Sequence, residues 1–254
     1  MKISILGAHN IESATTGCVS LLVDDVLAID AGHLTCSLTF EDQMNLKYAL
    51  LSHPHLDHIR DIPGLAMNLS LQEGSIDVYA IEEVFTMLET NLGNDTVYPN
   101  YFSRPAGKPV LRKHMLSFRK ESSVGPYKVV PIQMGHSVPA SAFQITGKDG
   151  KTLFFSGDTG PGIDWEGIAP DVLVIETTAL NRYEKYAYDS GHLTPSLLEK
   201  ELAALRERLG TLPRVVTVHM NPLDEAAIRA ELDLAGSNLG IHIETGYEGM
   251  CIEL

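Results

Sequence analysis

Between Leu51 and Ile59 the sequence reads Leu-Ser-His53-Pro-His55-Leu-Asp57-His58-Ile, a H-x-H-x-D-H pattern. Three imidazoles and a carboxylate in six residues are metal-ligand chemistry, and there are enough of them to serve two ions. His53 and His55 stand two apart in an extended segment, so both can face one ion. Asp57 and His58 fall at the turn into the next helix and can face a second. An imidazole and carboxylate set suits zinc, and is also compatible with iron or manganese.

Two ions need more ligands than this segment holds. Three further residues qualify, each where an apolar strand gives way to a polar loop. His136 lies in Gln133-Met134-Gly135-His136-Ser137, Asp158 in Ser156-Gly157-Asp158-Thr159, and His219 at the end of Val215-Val216-Thr217-Val218. Alone, each reads as an ordinary hydrogen-bonded residue at a strand end. After H-x-H-x-D-H they read as the missing ligands.

The elements that must position these residues follow from pattern. The apolar run Tyr48-Ala49-Leu50-Leu51 is a buried strand. Pro54 cannot join a ladder and biases His53 away from helix, so the strand should end at His53. The segment Arg60 to Leu71 has helical apolar spacing. Val23-Asp24-Asp25-Val26 reads as a tight hairpin turn. Thr194 before Pro195 predicts a capped helix running to Leu209, stopped by Gly210. Short apolar runs alternate with helical stretches from end to end, with no linker, repeat or low-complexity run. The expectation is one domain over residues 1–254. Residues 91–125 lack clear periodicity and are expected to form a substrate-facing insertion.

Together the motifs resemble the metallo-β-lactamase superfamily: H-x-H-x-D-H, a later His, an Asp in S-G-D-T, a final His, and Ile29-Asp30-Ala31-Gly32 as its first motif. The resemblance implies an α/β fold, an αββα sandwich with the metal site at one edge of its two sheets. It implies that His53, His55 and His136 hold one divalent ion, Asp57, His58 and His219 the other, and that Asp158 bridges them. Asp30 is expected to hydrogen-bond the ligand loop rather than bind metal. Ser190-Gly191-His192-Leu193-Thr194-Pro195, together with Glu176 in Ile175-Glu176-Thr177-Thr178, resembles the phosphodiesterase side of the superfamily. Class II cyclic-nucleotide phosphodiesterases are the most similar group, and the tRNase Z branch is related. By that resemblance Asp57, His192 and Glu176 are the catalytic candidates. A hydroxide between the metals attacks phosphorus, and His192, supported by Glu176, protonates the leaving oxygen. A 3′,5′-cyclic nucleotide would then leave as the 5′-monophosphate.

Composition narrows the partners. The net charge is −14, which disfavours gripping a long polyanion, so nucleic acid is not an expected partner. Residues 104–128 carry seven basic side chains (Arg104, Lys108, Arg112, Lys113, Arg119, Lys120 and Lys128) against Glu121 alone. They are either a solvated hairpin or a positive field steering a small phosphorylated substrate. No apolar run reaches membrane-spanning length. The start of the chain reads as a strand rather than a signal segment. Three unclustered cysteines argue against disulfides, and a cytoplasmic setting is expected. A homodimer is compatible with the resemblance. Three other readings stay open: a tRNase Z-like ribonuclease, a thioester or lactone hydrolase, and a non-catalytic binding module on the same fold.

Overall fold

The computed structural model describes residues 1–254. The first half contributes strands β1 (Lys2–Gly7), β2 (Ser20–Val23), β3 (Leu27–Ile29), β4 (Tyr48–Leu50), β5 (Ile76–Ala80) and β6 (Leu111–Met115). The second contributes β7 (Ser122–Val124), β8 (Tyr127–Met134), β9 (Ala140–Thr146), β10 (Thr152–Phe155), β11 (Val172–Glu176), β12 (Arg214–Val218), β13 (Ile243–Thr245) and β14 (Cys251–Glu253). Between them lie helices α1 (Leu34–Ser37), α2 (Phe40–Asn45), α3 (Leu56–Ile59), α4 (Ile62–Leu71), α5 (Glu82–Asn91), α6 (Glu184–Ser190), α7 (Pro195–Leu209) and α8 (Glu225–Leu239).

The strands form two seven-stranded sheets, β14-β1-β2-β3-β4-β5-β6 and β13-β12-β11-β10-β9-β8-β7. Each is antiparallel in one part and parallel in the other. Their facing sides share one apolar core, in which Ile5, Leu21 and Ile29 of the first sheet join Phe143, Phe155 and Val174 of the second. Phe143 and Phe155 are fully buried there, and truncating either to Ala should cost ~3–5 kcal/mol. A second cluster packs α7 and α8 on the outer face of the second sheet, and a third packs α4 and α5 on the outer face of the first. The layers are therefore α, β, β, α. No helix is long and apolar enough to cross a membrane.

Local chemistry accounts for the boundaries. Asp24 and Asp25 both adopt left-handed φ, as the turn joining antiparallel β2 and β3 requires. Thr194 caps α7 through Leu197 N–H, and Gly210 closes it with φ +80°. Strand β4 ends at Leu50, short of the expected His53. The Asp30 side chain takes the N–H of Ser52 at 2.7 Å, in place of a ladder carbonyl.

Residues 91–125 depart from expectation. They supply β6 and β7, edge strands of the two sheets. Tyr101 and Phe102 pack beneath α4 and α5, and Tyr101 joins a small pocket with Ile62 and Leu88. No residue of this stretch lines the cleft described below. It completes the two sheets at their edges. Five of the seven basic residues of 104–128 are paired: Arg104 with Asp95 at 2.9 Å, Arg112 with Asp77 at 2.7 Å, Lys113 with Glu89 at 2.8 Å, Lys128 with Glu121 at 3.3 Å, and Arg119 with Asp164. Such exposed pairs add little stability, but they offset much of the positive field that seven unpaired charges would have made.

Candidate metal centre

Six strands run toward one edge of the sandwich, and each delivers a polar residue just past or at its carboxyl end. Asp30 follows β3, the H-x-H-x-D-H segment follows β4, His136 follows β8, Asp158 follows β10, Glu176 ends β11, and His219 follows β12. His192 comes from the turn before α7. Residues from both halves of the chain thus meet at one place.

His53, His55, His136 and Asp158 form one group of converging donors, and Asp57, His58, Asp158 and His219 form another. Asp158 belongs to both. Its Oδ2 lies 3.6 Å from His53 Nε2, 3.8 Å from His136 Nε2 and 3.3 Å from His219 Nε2. Its Oδ1 lies 3.1 Å from His58 Nε2. Asp57 Oδ2 stands 3.2 Å from His219 Nε2 and 3.5 Å from His58 Nε2. Ligand atoms around a tetrahedral ion with bonds of ~2.0–2.1 Å stand about 3.3–3.4 Å apart. His53 Nε2, His58 Nε2 and Asp158 Oδ1 are buried with no hydrogen-bond partner. Buried polar atoms are rarely left so, and orphans converging at these spacings fit metal ions.

A layer of hydrogen bonds behind the donors fixes which ring nitrogen carries the proton. Asp30 Oδ2 accepts from His58 Nδ1 at 2.7 Å and from the Ser52 hydroxyl at 2.7 Å. Ser52 has one proton and gives it to Asp30, so its oxygen accepts from His53 Nδ1 at 3.0 Å. Both rings therefore turn an Nε2 lone pair inward. On the other side, Thr178 donates its hydroxyl proton to Glu176 Oε2 at 2.7 Å and accepts from His219 Nδ1 at 2.7 Å. His136 Nδ1 donates to the Gly191 carbonyl at 2.9 Å. All four histidines are set in the tautomer that a metal requires.

Backbone strain marks two of these positions. His219 has φ +65° and Asp30 has φ +55°, a left-handed conformation that costs non-glycine residues of order 1–3 kcal/mol. Gly191 also has positive φ, at +76°. A Cβ there would stand 2.7 Å from His136 Cα, so glycine is what lets the Gly191 carbonyl reach His136.

Electrostatics favour a cation. Burial pushes His53 down, and the neighbouring His58 adds to this. Burial opposes the charged form of His58 too, but Asp158 and Asp30 outweigh it and hold its pKa well above the usual imidazole range. Burial would raise Asp158, yet His219, His58 and His53 hold it well below the usual carboxylate range. A field that stabilises a proton on His58 stabilises a divalent ion more.

Glu176 is fully buried at the end of β11. Its Oε1 accepts from His192 Nδ1 at 2.8 Å and from Thr159 N–H at 3.1 Å, and its Oε2 from the Thr178 hydroxyl and Leu193 N–H. His192 thus directs its other nitrogen outward, and its side chain remains 18% exposed beside the cleft. Burial disfavours its charge, but Glu176 more than compensates and raises its pKa to about 9.

The cleft over these residues measures about 480 Å³ and is lined by His55, Asp57, Asp158, His192 and His219, with Asn10, Ile11, Glu12, Cys18, Leu56 and Arg60 around them. Reasoning from sequence missed Ser52, Thr178 and Gly191, which act through neighbours, and Asn10 and Arg60 at the rim. The available signal was adjacency: Ser52 precedes His53, Thr178 is two beyond Glu176, and Arg60 is two beyond His58. His9 lies outside the centre, buried against Glu248 at 2.6 Å. Trp165 is core, its indole N–H donating to Glu201.

A model of the beta-lactamase superfamily domain matches residues 24–220. A 3′,5′-cyclic-nucleotide phosphodiesterase of Aliivibrio fischeri is 26% identical over 187 residues, 65% of this chain and 55% of that protein. A metal-dependent hydrolase of Methanobrevibacter smithii is 29% identical over 168 residues, 63% of this chain and 61% of that protein. The matches thus span somewhat over half the length of these curated relatives. The crystal structure of unliganded yeast PDE1 superposes with a TM-score of 0.82 at 16% identity, over 100% of this chain and 99% of that one. At that identity the likeness concerns the fold.

Proposed function

This chain belongs to the beta-lactamase superfamily domain family, and from that premise we propose that it is a two-metal phosphodiesterase acting on a small phosphodiester, a 3′,5′-cyclic nucleotide by preference. The observation that carries the reading is the ion pair of His192 with buried Glu176 at 2.8 Å, beside the metal-ligand set. Similarity to a relative named as a 3′,5′-cyclic-nucleotide phosphodiesterase supports the same reading.

His53, His55, His136 and Asp158 would hold one divalent ion, and Asp57, His58, His219 and Asp158 the other, with zinc the first choice and iron or manganese compatible. When bound, such a pair supplies a water acidic enough to attack at neutral pH and neutralises charge on the phosphate oxygens. The chain's own residues do the rest. Asp57 is placed to orient the attacking water and accept its proton. His192 holds its proton at neutral pH and presents it from Nε2 to the departing 3′ oxygen, leaving a 5′-monophosphate. Glu176 keeps His192 charged by accepting from Nδ1. Thr178, Ser52 and Asp30 hold the ligand rings in the right tautomers.

The test is a metal-reconstituted assay of the chain against 3′,5′-cyclic AMP and GMP, bis-p-nitrophenyl phosphate, a tRNA precursor and a thioester. Release of a 5′-monophosphate from a cyclic nucleotide is expected. Cleavage of the thioester alone would overturn the proposal, and processing of the tRNA precursor alone would move it to ribonuclease chemistry.

A further inference from the structure

We propose that Glu12, His33 and Cys36 form a separate site for one borderline-soft divalent cation of the zinc type, at the outer rim of the cleft. None of the three belongs to the ligand set above. Their donor atoms all lie within 4.8 Å of one another. His33 occupies the position just before α1 and Cys36 sits three residues on, so one turn brings both to the same side.

The geometry is that of ligands rather than of a hydrogen bond. His33 Nδ1 lies 3.3 Å from Glu12 Oε1. A charge-assisted N–H···O bond would close to about 2.7–2.9 Å. Two ligands of a tetrahedral ion with bonds of ~2.0–2.1 Å stand about 3.3–3.4 Å apart. The Nδ1 atom is buried and makes no hydrogen bond at all.

The imidazole is held in place by its surroundings. Its backbone N–H donates to Ser20 Oγ at 3.0 Å. The side chain packs on two glycines: a Cβ on Gly17 would come within 2.4 Å of the His33 ring, and one on Gly7 within 2.9 Å of His33 Cβ. The next turn is anchored as well, because Thr35 N–H donates to Asp61 at 2.8 Å. Cys36 is exposed, which gives an ion a way in and leaves room for water at a fourth position.

Charge balance agrees. Glu12 divides its oxygens, Oε1 toward His33 and Oε2 toward Arg60, and Arg60 also lies 3.6 Å from Asp61. With Cys36 as thiolate, the local negative charges are Glu12, Asp61 and Cys36, three in all, against one on Arg60. A divalent cation brings the group to neutrality. One thiolate, one imidazole and one carboxylate select zinc over magnesium or calcium. Binding sends the thiol proton of Cys36 to solvent, since only the thiolate is a ligand. Because Glu12 and Arg60 both line the cleft, an ion here bears directly on its rim.

Cobalt(II) titration of the full chain tests this, because the centre described above contains no sulfur ligand. The expected result is a sulfur-to-cobalt charge-transfer band in the near ultraviolet, and one more ion bound than in Cys36→Ser, which lacks the band. His33→Gln should lose the band as well. Asp158→Asn, which damages the other centre, should keep it. No band in the intact chain, a band that survives Cys36→Ser, or equal ion counts in the intact chain and Cys36→Ser would each overturn the proposal.

Discussion

The hydroxyl of Thr178 lies 2.7 Å from His219 Nδ1 and passes its own proton to Glu176, 2.7 Å away. One buried carboxylate therefore governs two histidines, His192 directly and His219 through Thr178.

Thr178→Val should remove the relay without changing side-chain size. His219 then loses the partner that fixes its tautomer, and metal affinity at that position should fall ~10–100-fold. Thr178→Ser should restore it. Competition with a chelator of known affinity measures the change, and unaltered affinity in Thr178→Val would remove Thr178 from the scheme.

His192→Gln should lower turnover ~10²–10⁴-fold, the usual worth of a positioned proton donor, with metal content unchanged. Measuring kcat beside bound metal separates this from loss of a ligand. Full turnover would mean that the leaving oxygen takes its proton elsewhere.

Gly191→Ala should damage the centre from outside it. The new methyl meets His136 backbone at 2.7 Å, at a φ of +76° that alanine resists. Lower thermal stability together with loss of metal at the His136 side is expected, read by calorimetry and metal analysis. A Gly191→Ala chain with native metal content would show that His136 does not depend on that carbonyl.

The pH dependence of stability should carry a signature of Glu248. Burial opposes its charge, but His9 at 2.6 Å and the Gly17 N–H at 2.8 Å outweigh this and lower its pKa to about 2. A carboxylate depressed in the folded state stabilises above its unfolded pKa of ~4.3, and that contribution drains away as pH falls from there through about 2. Melting temperatures of Glu248→Gln should fall less steeply with acid over that window than those of the parent. Parallel curves would contradict the assignment.

Legibility in the sequence was greatest where chemistry is local. The candidate ligands His53, His55, Asp57 and His58 are separated by so few residues that the chain itself brings them together. His136, Asp158 and His219 could be picked out because each ends an apolar strand. The hairpin at Asp24-Asp25 and the Thr194 cap were readable because both are decided by adjacent residues. The strands within 91–125 were not legible because β6 and β7 are short edge strands, β6 with an exposed, charged face, and strand pairing rather than periodicity makes them strands.

The sequence by itself determined which atoms could bind metal and that the sheets would have apolar faces to stack. Only the tertiary structure decided that Asp30 reaches His58 across twenty-eight residues and that Thr178 reaches His219 across forty-one. Likewise, it alone placed Glu12 beside His33 and paired Arg104, Arg112, Lys113 and Arg119 with acids outside 104–128. Ligand identity is written in side-chain type, which sequence spells out. Tautomer, charge balance and access depend on distances between strands that only the packing of two sheets sets.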